Sequence, residues 1–312
     1  MLARSLAGVL LAAFSLEAQS SLSGPVLGVV FESGRGLRPV RGIAGASTLG
    51  ELLDLGLEIF SAAVSPTHKH ALISTGDPRQ LVAARLDRPE IVPIEGGVGA
   101  PDVVVFSPGG KAAALRELRS GRVQLLTGLP EAPVVAREIA AAETWGPMAV
   151  SDDGSLLVAE GGSLILYSQQ EEPRPIAVLG AISGLAFRPG SLDALVADDR
   201  HVYMLRNGTE VAPVAAAVAG AVGVAFAGAD RAVVAGSSGE LAVLDLAAGT
   251  ATSLACECAP TGLARMSNAA VFRLNEPSSK PMWLLDLSGA EPRALFVPPD
   301  APEAPAAVPP PQ

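Results

Sequence analysis

A module of about forty residues recurs along this chain, and it constrains the fold more than any other feature. Each module contains an apolar stretch, a turn rich in Pro, Asp and Gly, a second apolar stretch and a hairpin of alternating residues. The residues that precede the first turn are spaced by 42, 44, 37, 39 and 40 positions: Val64, Phe106, Val150, Phe187, Phe226 and Met266. A period of roughly 40 to 45 residues with four short strands per unit is typical of a β-propeller. The sequence therefore predicts an all-β propeller with four-stranded antiparallel blades, formed as a single domain by residues 26–297.

The N-terminal hairpin decides the number of blades. Six inner strand pairs can be counted, but residues 26–31 and 37–43 repeat the outer, alternating pattern ahead of the first of them. This hairpin either begins a seventh blade, to which residues 44–57 contribute, or packs against the last blade and closes a ring of six. We favour seven blades, with six as the alternative.

Three segments have a local composition that favours helix, namely residues 49–60, 111–119 and 134–144. Residues 111–119 occupy the same place after their turn as strand residues do in other modules. Because tertiary context overrides intrinsic propensity, the repeat predicts strand there.

Charge and composition exclude some classes of function. The net charge of −10 disfavours nucleic-acid binding, which depends on clustered Lys and Arg. The first eighteen residues contain Arg4 followed by the apolar stretch 6–16, and this pattern predicts an export signal cleaved near residues 18–20. No later stretch is long enough for a membrane helix. We expect a periplasmic or secreted protein without a stable membrane span, ending in a Pro/Ala-rich disordered tail at residues 298–312.

Two modules carry a resemblance to known proteins. The sequences SSGELAVLDLAAGTATSL, residues 237–254, and DGSLLVAEGGSLILYS, residues 153–168, resemble repeats of the YVTN and WD40-like propellers of exported bacterial proteins. The Trp-Asp ending of eukaryotic WD40 repeats is missing. The resemblance implies a rigid disc with a small central channel, whose relatives mostly serve as binding or assembly platforms, and it transfers no catalytic residue.

The histidines and cysteines suggest no metal site. His68 and His70 lie in the turn of an inner pair, where we expect solvated side chains, and the cysteine pair lies in a connection that emerges on the opposite face of the disc. Cys256 and Cys258 form a local disulfide or remain free buried thiols; a metal or redox role is the alternative.

In a propeller enzyme the reactive groups lie in the connections that lead into each innermost strand. Here these connections hold few polar residues, among them Asp102, Glu143, Glu257 and Thr261, with Trp145 as the one aromatic anchor. We therefore expect a non-catalytic scaffold that binds an envelope or extracellular protein or a glycan, without a cofactor. The alternative is a hydrolase or lactonase-like enzyme that uses a divalent cation held by these carboxylates.

Overall fold

The computed structural model describes residues 24–168, 171–216, 218–267 and 270–300. Within these ranges the chain forms only strands, turns and irregular segments, and seven antiparallel sheets follow one another as the blades of a propeller. The predicted fold class and the count of seven blades are confirmed. The three segments with helical composition are not helical: residues 111–119 and 134–144 contribute strands, and most of residues 49–60 are irregular.

The strands are numbered in chain order, and each blade begins with its innermost strand. Blade 1 contains β1 Val26–Glu32, β2 Gly36–Ile43 and β3 Ala46–Leu49. Blade 2 contains β4 Ser61–Val64, β5 His70–Thr75, β6 Gln80–Arg85 and β7 Ile91–Pro93. Blade 3 contains β8 Val103–Phe106, β9 Ala113–Glu117, β10 Arg122–Thr127 and β11 Val134–Ala140. Blade 4 contains β12 Trp145–Val150, β13 Leu156–Glu160, β14 Ser163–Tyr167 and β15 Arg174–Val178. Blade 5 contains β16 Gly184–Phe187, β17 Ala194–Ala197, β18 His201–Arg206 and β19 Glu210–Ala216. Blade 6 contains β20 Ala221–Phe226, β21 Arg231–Gly236, β22 Glu240–Asp245 and β23 Thr250–Ala255. Blade 7 contains β24 Ala264–Arg265, β25 Val271–Arg273, β26 Met282–Asp286 and β27 Arg293–Val297.

The core lies between the blades. Strands β9 and β10, for example, are buried along most of their length because the neighbouring blades cover both faces of the sheet. One apolar cluster joins Leu72 and Leu81 of blade 2 to Leu115 and Leu126 of blade 3, and similar clusters join the other neighbouring blades. No sheet can bury its apolar faces alone, so the blades stabilise one another around the ring.

Blade 1 differs from the sequence-based expectation in the role of its hairpin. The N-terminal hairpin is the innermost pair, β1 and β2, rather than an outer pair, and β3 completes a sheet in which the described residues form three strands. The other six sheets have four strands each.

Between residues 24 and 300, the described strands of blade 1 and blade 7 belong to separate sheets where the ring closes. Instead, side chains of both blades share an apolar cluster that includes Leu27 and Met282. The Ser267 backbone N–H donates a hydrogen bond to the Leu27 carbonyl oxygen at 2.8 Å. Beyond β27, Asp300 pairs with the buried Arg38 of blade 1 at 2.6 Å. These contacts join blade 1 to blade 7.

The predicted export signal, residues 1–18, lies outside the described residues, and so does most of the predicted tail. Of that tail, residues 298–300 are described, and Asp300 is held against blade 1. Among the described residues no helix is long and apolar enough to cross a membrane.

Candidate functional site

The antiparallel strands sort the loops of the propeller onto two faces. The connections that lead into each innermost strand lie on the same face as the turns between the second and third strands of each blade. We call this the entry face. The turns between the first and second strands lie on the opposite face, which we call the turn face.

The sequence-predicted carboxylates lie on the entry face but belong to separate connections. Asp102, Glu143 and Glu257 are exposed and precede blades 3, 4 and 7, and Thr261, also exposed, follows Glu257. Asp102 has a local role, because its carboxylate accepts a hydrogen bond from the Leu118 backbone N–H at 2.7 Å. In the part of the chain that the structure describes, no group of three or more His, Cys, Asp or Glu side chains could hold a metal ion.

Trp145 does not form the predicted contact patch. Its side chain is only 5% exposed and packs between blades 3 and 4, with its ring 5.4 Å from the ring of Tyr167. Its backbone carbonyl accepts a hydrogen bond from the Arg116 guanidinium. The expectation of an exposed anchor was wrong because Trp145 is the first residue of an innermost strand, where the large ring completes the core between two blades.

A different set of side chains forms an exposed patch on the entry face of blades 2 and 3. We call it the entry patch and define it as Phe60, Arg79, Asp102 and Leu118. Phe60 is 37% exposed, and the Arg79 guanidinium carbon lies 3.0 Å from the centre of its ring. Leu118 is 58% exposed and is held by the hydrogen bond to Asp102.

The two halves of the entry patch are connected through the backbone. A Cβ atom added to Gly99 would lie 2.1 Å from the Arg79 carbonyl oxygen, so this glycine allows the turn of blade 2 to contact the connection into blade 3. The buried Ser74 hydroxyl donates a hydrogen bond to the Gly99 carbonyl at 2.5 Å. The connection that leads to Asp102 is thus fixed to strand β5 of blade 2.

The cysteines form a disulfide between Cys256 and Cys258, in the connection between blades 6 and 7. Their Cα atoms are 5.1 Å apart, within the usual range for a disulfide. Gly239 faces this connection, since an added Cβ would lie 2.4 Å from the Cys256 carbonyl oxygen and 2.7 Å from that of Cys258. The bridge therefore fixes a bend of the entry face against the neighbouring turn of blade 6.

The central channel is a cavity of about 540 Å³ lined by the innermost strands of all seven blades. Most of its wall is aliphatic, with Ala, Val and Leu side chains from each blade and Phe31 and Phe106 among the larger ones. The polar side chains are few: Ser33, His68, Arg265, Arg273 and Glu276.

His68 extends from the turn of blade 2 to the junction of blades 1 and 7. The Val29 N–H donates a hydrogen bond to Nδ1 at 2.9 Å, and Nε2 lies 2.9 Å from the Arg265 carbonyl oxygen. A neutral ring with its proton on Nε2 satisfies both contacts. Burial lowers the pKa of His68 and so favours this neutral form. A Cβ at Gly28 would lie 2.8 Å from the ring, so only glycine admits His68 there.

The prediction of solvated turn histidines was therefore wrong. His68 is partly buried in the channel wall, and His70 is only 2% exposed, with its ring 5.6 Å from that of Phe106. Neither ring nitrogen of His70 has a hydrogen-bond partner among the described residues, and burial lowers the pKa of His70, with the nearby Gly110 backbone opposing the shift. The first turn of a blade lies near the axis, so His68 is half-buried in the channel wall, whereas His70, the first residue of β5, is buried against Phe106 of the next blade.

Arg265 is marked in the sequence by a departure from the repeat. Blade 7 has Arg265 at the position before Met266, the residue that precedes its first turn. The other blades have small apolar residues at this position: Val30, Ala63, Val105, Ala149, Ala186 and Ala225. This single departure from the repeat can be seen in an alignment of the modules. No comparable signal distinguishes Phe60 or Arg79, because their exposure depends on how blades 2 and 3 pack.

The comparisons with known proteins show the fold alone. No protein-family model matches the sequence, and no curated protein is similar to it in sequence. A functionally unknown protein from Desulfotomaculum acetoxidans has a similar structure, with a TM-score of 0.59 and 12% identity over 87% of this chain and 99% of that one. PorZ of Porphyromonas gingivalis, described as an essential surface component of the type-IX secretion system, matches with a TM-score of 0.59 and 14% identity over 88% of this chain and 38% of PorZ. A chain of a mitotic checkpoint complex matches with a TM-score of 0.54 and 12% identity over 88% of this chain and 96% of that one.

Proposed function

We propose that this protein is an exported, non-catalytic propeller that acts as a scaffold and binds another protein through the entry patch. The observation that carries the proposal is the exposed Phe60 ring under the Arg79 guanidinium, beside the exposed Leu118. Aromatic side chains and arginine contribute most of the binding energy at protein interfaces. Here Arg79 and Leu118 lie in short turns between paired strands, and the Arg79 guanidinium packs on the Phe60 ring, which limits the conformational entropy lost when a partner docks.

A protein suits this surface better than a glycan. Sugar rings stack on an open aromatic face, but Arg79 covers one face of Phe60, and Trp145 is buried. The patch also combines both charges with apolar groups, since Asp102 lies beside Leu118 and Arg79 beside Phe60. A mixed surface of this kind is typical of non-obligate protein interfaces.

Two observations support a compartment outside the cytoplasm. The first eighteen residues have the pattern of an export signal, and the Cys256–Cys258 disulfide is of a kind that persists in oxidising compartments. The partner would then be an envelope or extracellular protein. Structurally similar chains occur in a secretion-system component and in a checkpoint complex, and a role in assembly agrees with this.

The rival function, a cation-dependent hydrolase or lactonase, has less support. It would need Asp102, Glu143 and Glu257 to converge, yet these carboxylates belong to the connections into three different blades. In the described ranges they form no ligand cluster.

The test is quantitative capture of partners from envelope extract, with the purified protein as bait and mass spectrometry as the readout. We expect Phe60→Ser and Leu118→Glu each to lower the recovery of one specific partner at least tenfold, since hot-spot losses exceed about 1.4 kcal/mol. Phe296→Ser is the matched control, because Phe296 is an exposed phenylalanine that also contacts another ring, that of Trp283. Equal recovery with all variants would contradict the proposal, as would binding to a glycan array that Phe60→Ser abolishes.

A further inference from the structure

The central channel contains one side chain that the repeat does not explain. Arg265 stands where the other six blades place Val or Ala, and all seven of these residues line the channel. Natural sequences that are otherwise consistent with their fold tend to break a local rule at functional sites. A guanidinium in an aliphatic channel therefore indicates a functional site.

Arg265 has little to neutralise it. One Nη2 donor bonds to the Phe226 carbonyl oxygen at 2.6 Å, and no carboxylate among the described residues pairs with the guanidinium. Five N–H donors are present on an arginine side chain, so most of them remain for another acceptor. Burial lowers the pKa of Arg265, but a guanidinium keeps its charge at neutral pH.

The other polar groups of the channel do not compensate this charge. Arg273 pairs with Glu276 through both of its terminal nitrogens, one of them at 2.7 Å. His68 is neutral and bonds to backbone groups of Val29 and Arg265. The described wall of the channel therefore carries one unbalanced positive charge.

The shape and lining of the cavity suit a small apolar molecule. Its volume of about 540 Å³ lies within the 300 to 1,000 Å³ that is usual for ligand sites, and a few polar groups on a mostly apolar wall are typical of such sites. The apolar wall can bury a hydrocarbon body, while the arginine can bind an acid group with two parallel hydrogen bonds.

We propose that the central channel binds a small monocarboxylate with an apolar body, such as a medium-chain fatty acid, with its carboxylate on the Arg265 guanidinium. A monoanion fits better than a dianionic phosphate, because only one positive charge is unbalanced. The hydrocarbon part contacts the aliphatic wall, which includes Val105 and Ala186. This site is separate from the entry patch, so either proposal can fail without the other.

Isothermal titration calorimetry of the full protein with decanoate, below the concentration at which it forms micelles, tests this site. Decanol has the same chain without the charge and serves as the matched ligand. We expect saturable binding of one decanoate and at least tenfold weaker binding of decanol. Arg265→Met should weaken decanoate binding at least tenfold and leave decanol binding unchanged, whereas Arg265→Lys should restore part of the preference for decanoate. Arg174→Met is the control, because Arg174 also donates to a backbone carbonyl, that of Gly208, but lies outside the channel wall.

A second variant tests the location of the hydrocarbon chain. Ala186→Phe fills part of the channel and should weaken the binding of both ligands, with circular dichroism used to show that the variant is folded. The proposal is wrong if decanoate does not bind the wild-type protein, if decanol binds as tightly as decanoate, or if Arg265→Met binds decanoate as the wild type does. Unchanged binding to a folded Ala186→Phe variant would also overturn it.

Discussion

The substitution His68→Leu tests how this ring is closed. In the described part of the chain blades 1 and 7 share no sheet, and His68 of blade 2 bonds to the backbone of both, through Val29 and Arg265. The substitution removes two hydrogen bonds and leaves a backbone N–H and a carbonyl without their partner. At about 1 kcal/mol for each bond, with a further cost for the unpaired groups, we expect the free energy of unfolding to fall by about 2–3 kcal/mol.

Thermal and denaturant unfolding followed by circular dichroism measure this loss. At roughly 2–4 °C per kcal/mol for a chain of this size, the Tm should fall by roughly 4–12 °C. His70→Leu is the matched control two residues away, because neither of its ring nitrogens has a hydrogen-bond partner among the described residues. Replacing such a group by an apolar one should change the stability by less than about 1 kcal/mol. Equal losses in the two variants would refute the assignment of ring closure to His68.

A double-mutant cycle isolates the contact further. Gly28→Ala places a methyl group within 2.8 Å of the His68 ring and should destabilise the protein. His68→Ala removes the clash with the ring and leaves the backbone cost at Gly28 and the contact with Met266 at 3.0 Å, so the two effects should be less than additive. Strict additivity would show that the ring and the glycine do not interact.

Three further predictions concern other parts of the ring. Arg38 and Arg35 lower the pKa of Asp300 to about 2, so the contribution of Asp300 to stability is present above the unfolded pKa of 3.8 and is lost as the pH falls through about 2. Asp300→Asn should therefore lower the Tm at neutral pH more than Glu291→Gln does. Equal Tm values for the two variants would contradict this. Burial lowers the pKa of His68 and His70 below 6.5, so stability should be complete above that pH and fall below it, and the double variant His68→Leu/His70→Leu should show a flatter dependence in unfolding measured between about pH 7.5 and about pH 5.5. Trp145→Ala should cost about 3–5 kcal/mol by leaving a cavity between blades 3 and 4, without the selective loss of a partner that the entry-patch variants show; near-wild-type stability in urea would argue against burial of the ring.

Much of the architecture could be read from the modules. Strands β20 to β23 coincide with the apolar and alternating stretches of residues 221–254, because each stretch ends at a turn rich in Gly, Ala, Ser or Asp. The segment 111–119 shows why the period outweighs composition. Its helix-forming residues pair as β9 with β8 and β10, since only a strand at that place completes the sheet.

The site was less predictable for a physical reason. A sequence shows which residues are polar or aromatic but not how blades meet. Trp145, which we expected to be exposed, is buried between blades, whereas Phe60 is exposed in an irregular segment. The burial of His68 and His70 is likewise not visible in the sequence, because the neighbours that cover them belong to other blades of the closed ring.

The sequence by itself thus determined the period and most strand boundaries, because local alternation and turn chemistry repeat along the chain, and it favoured seven blades over six without deciding between them. It also contained Arg265 as the one charge in an apolar position. Only the tertiary structure decided how the ring closes, through His68 and Asp300, and which side chains form the entry patch and the channel. Those contacts join residues up to 265 positions apart, and their geometry exists only when seven sheets surround a common axis.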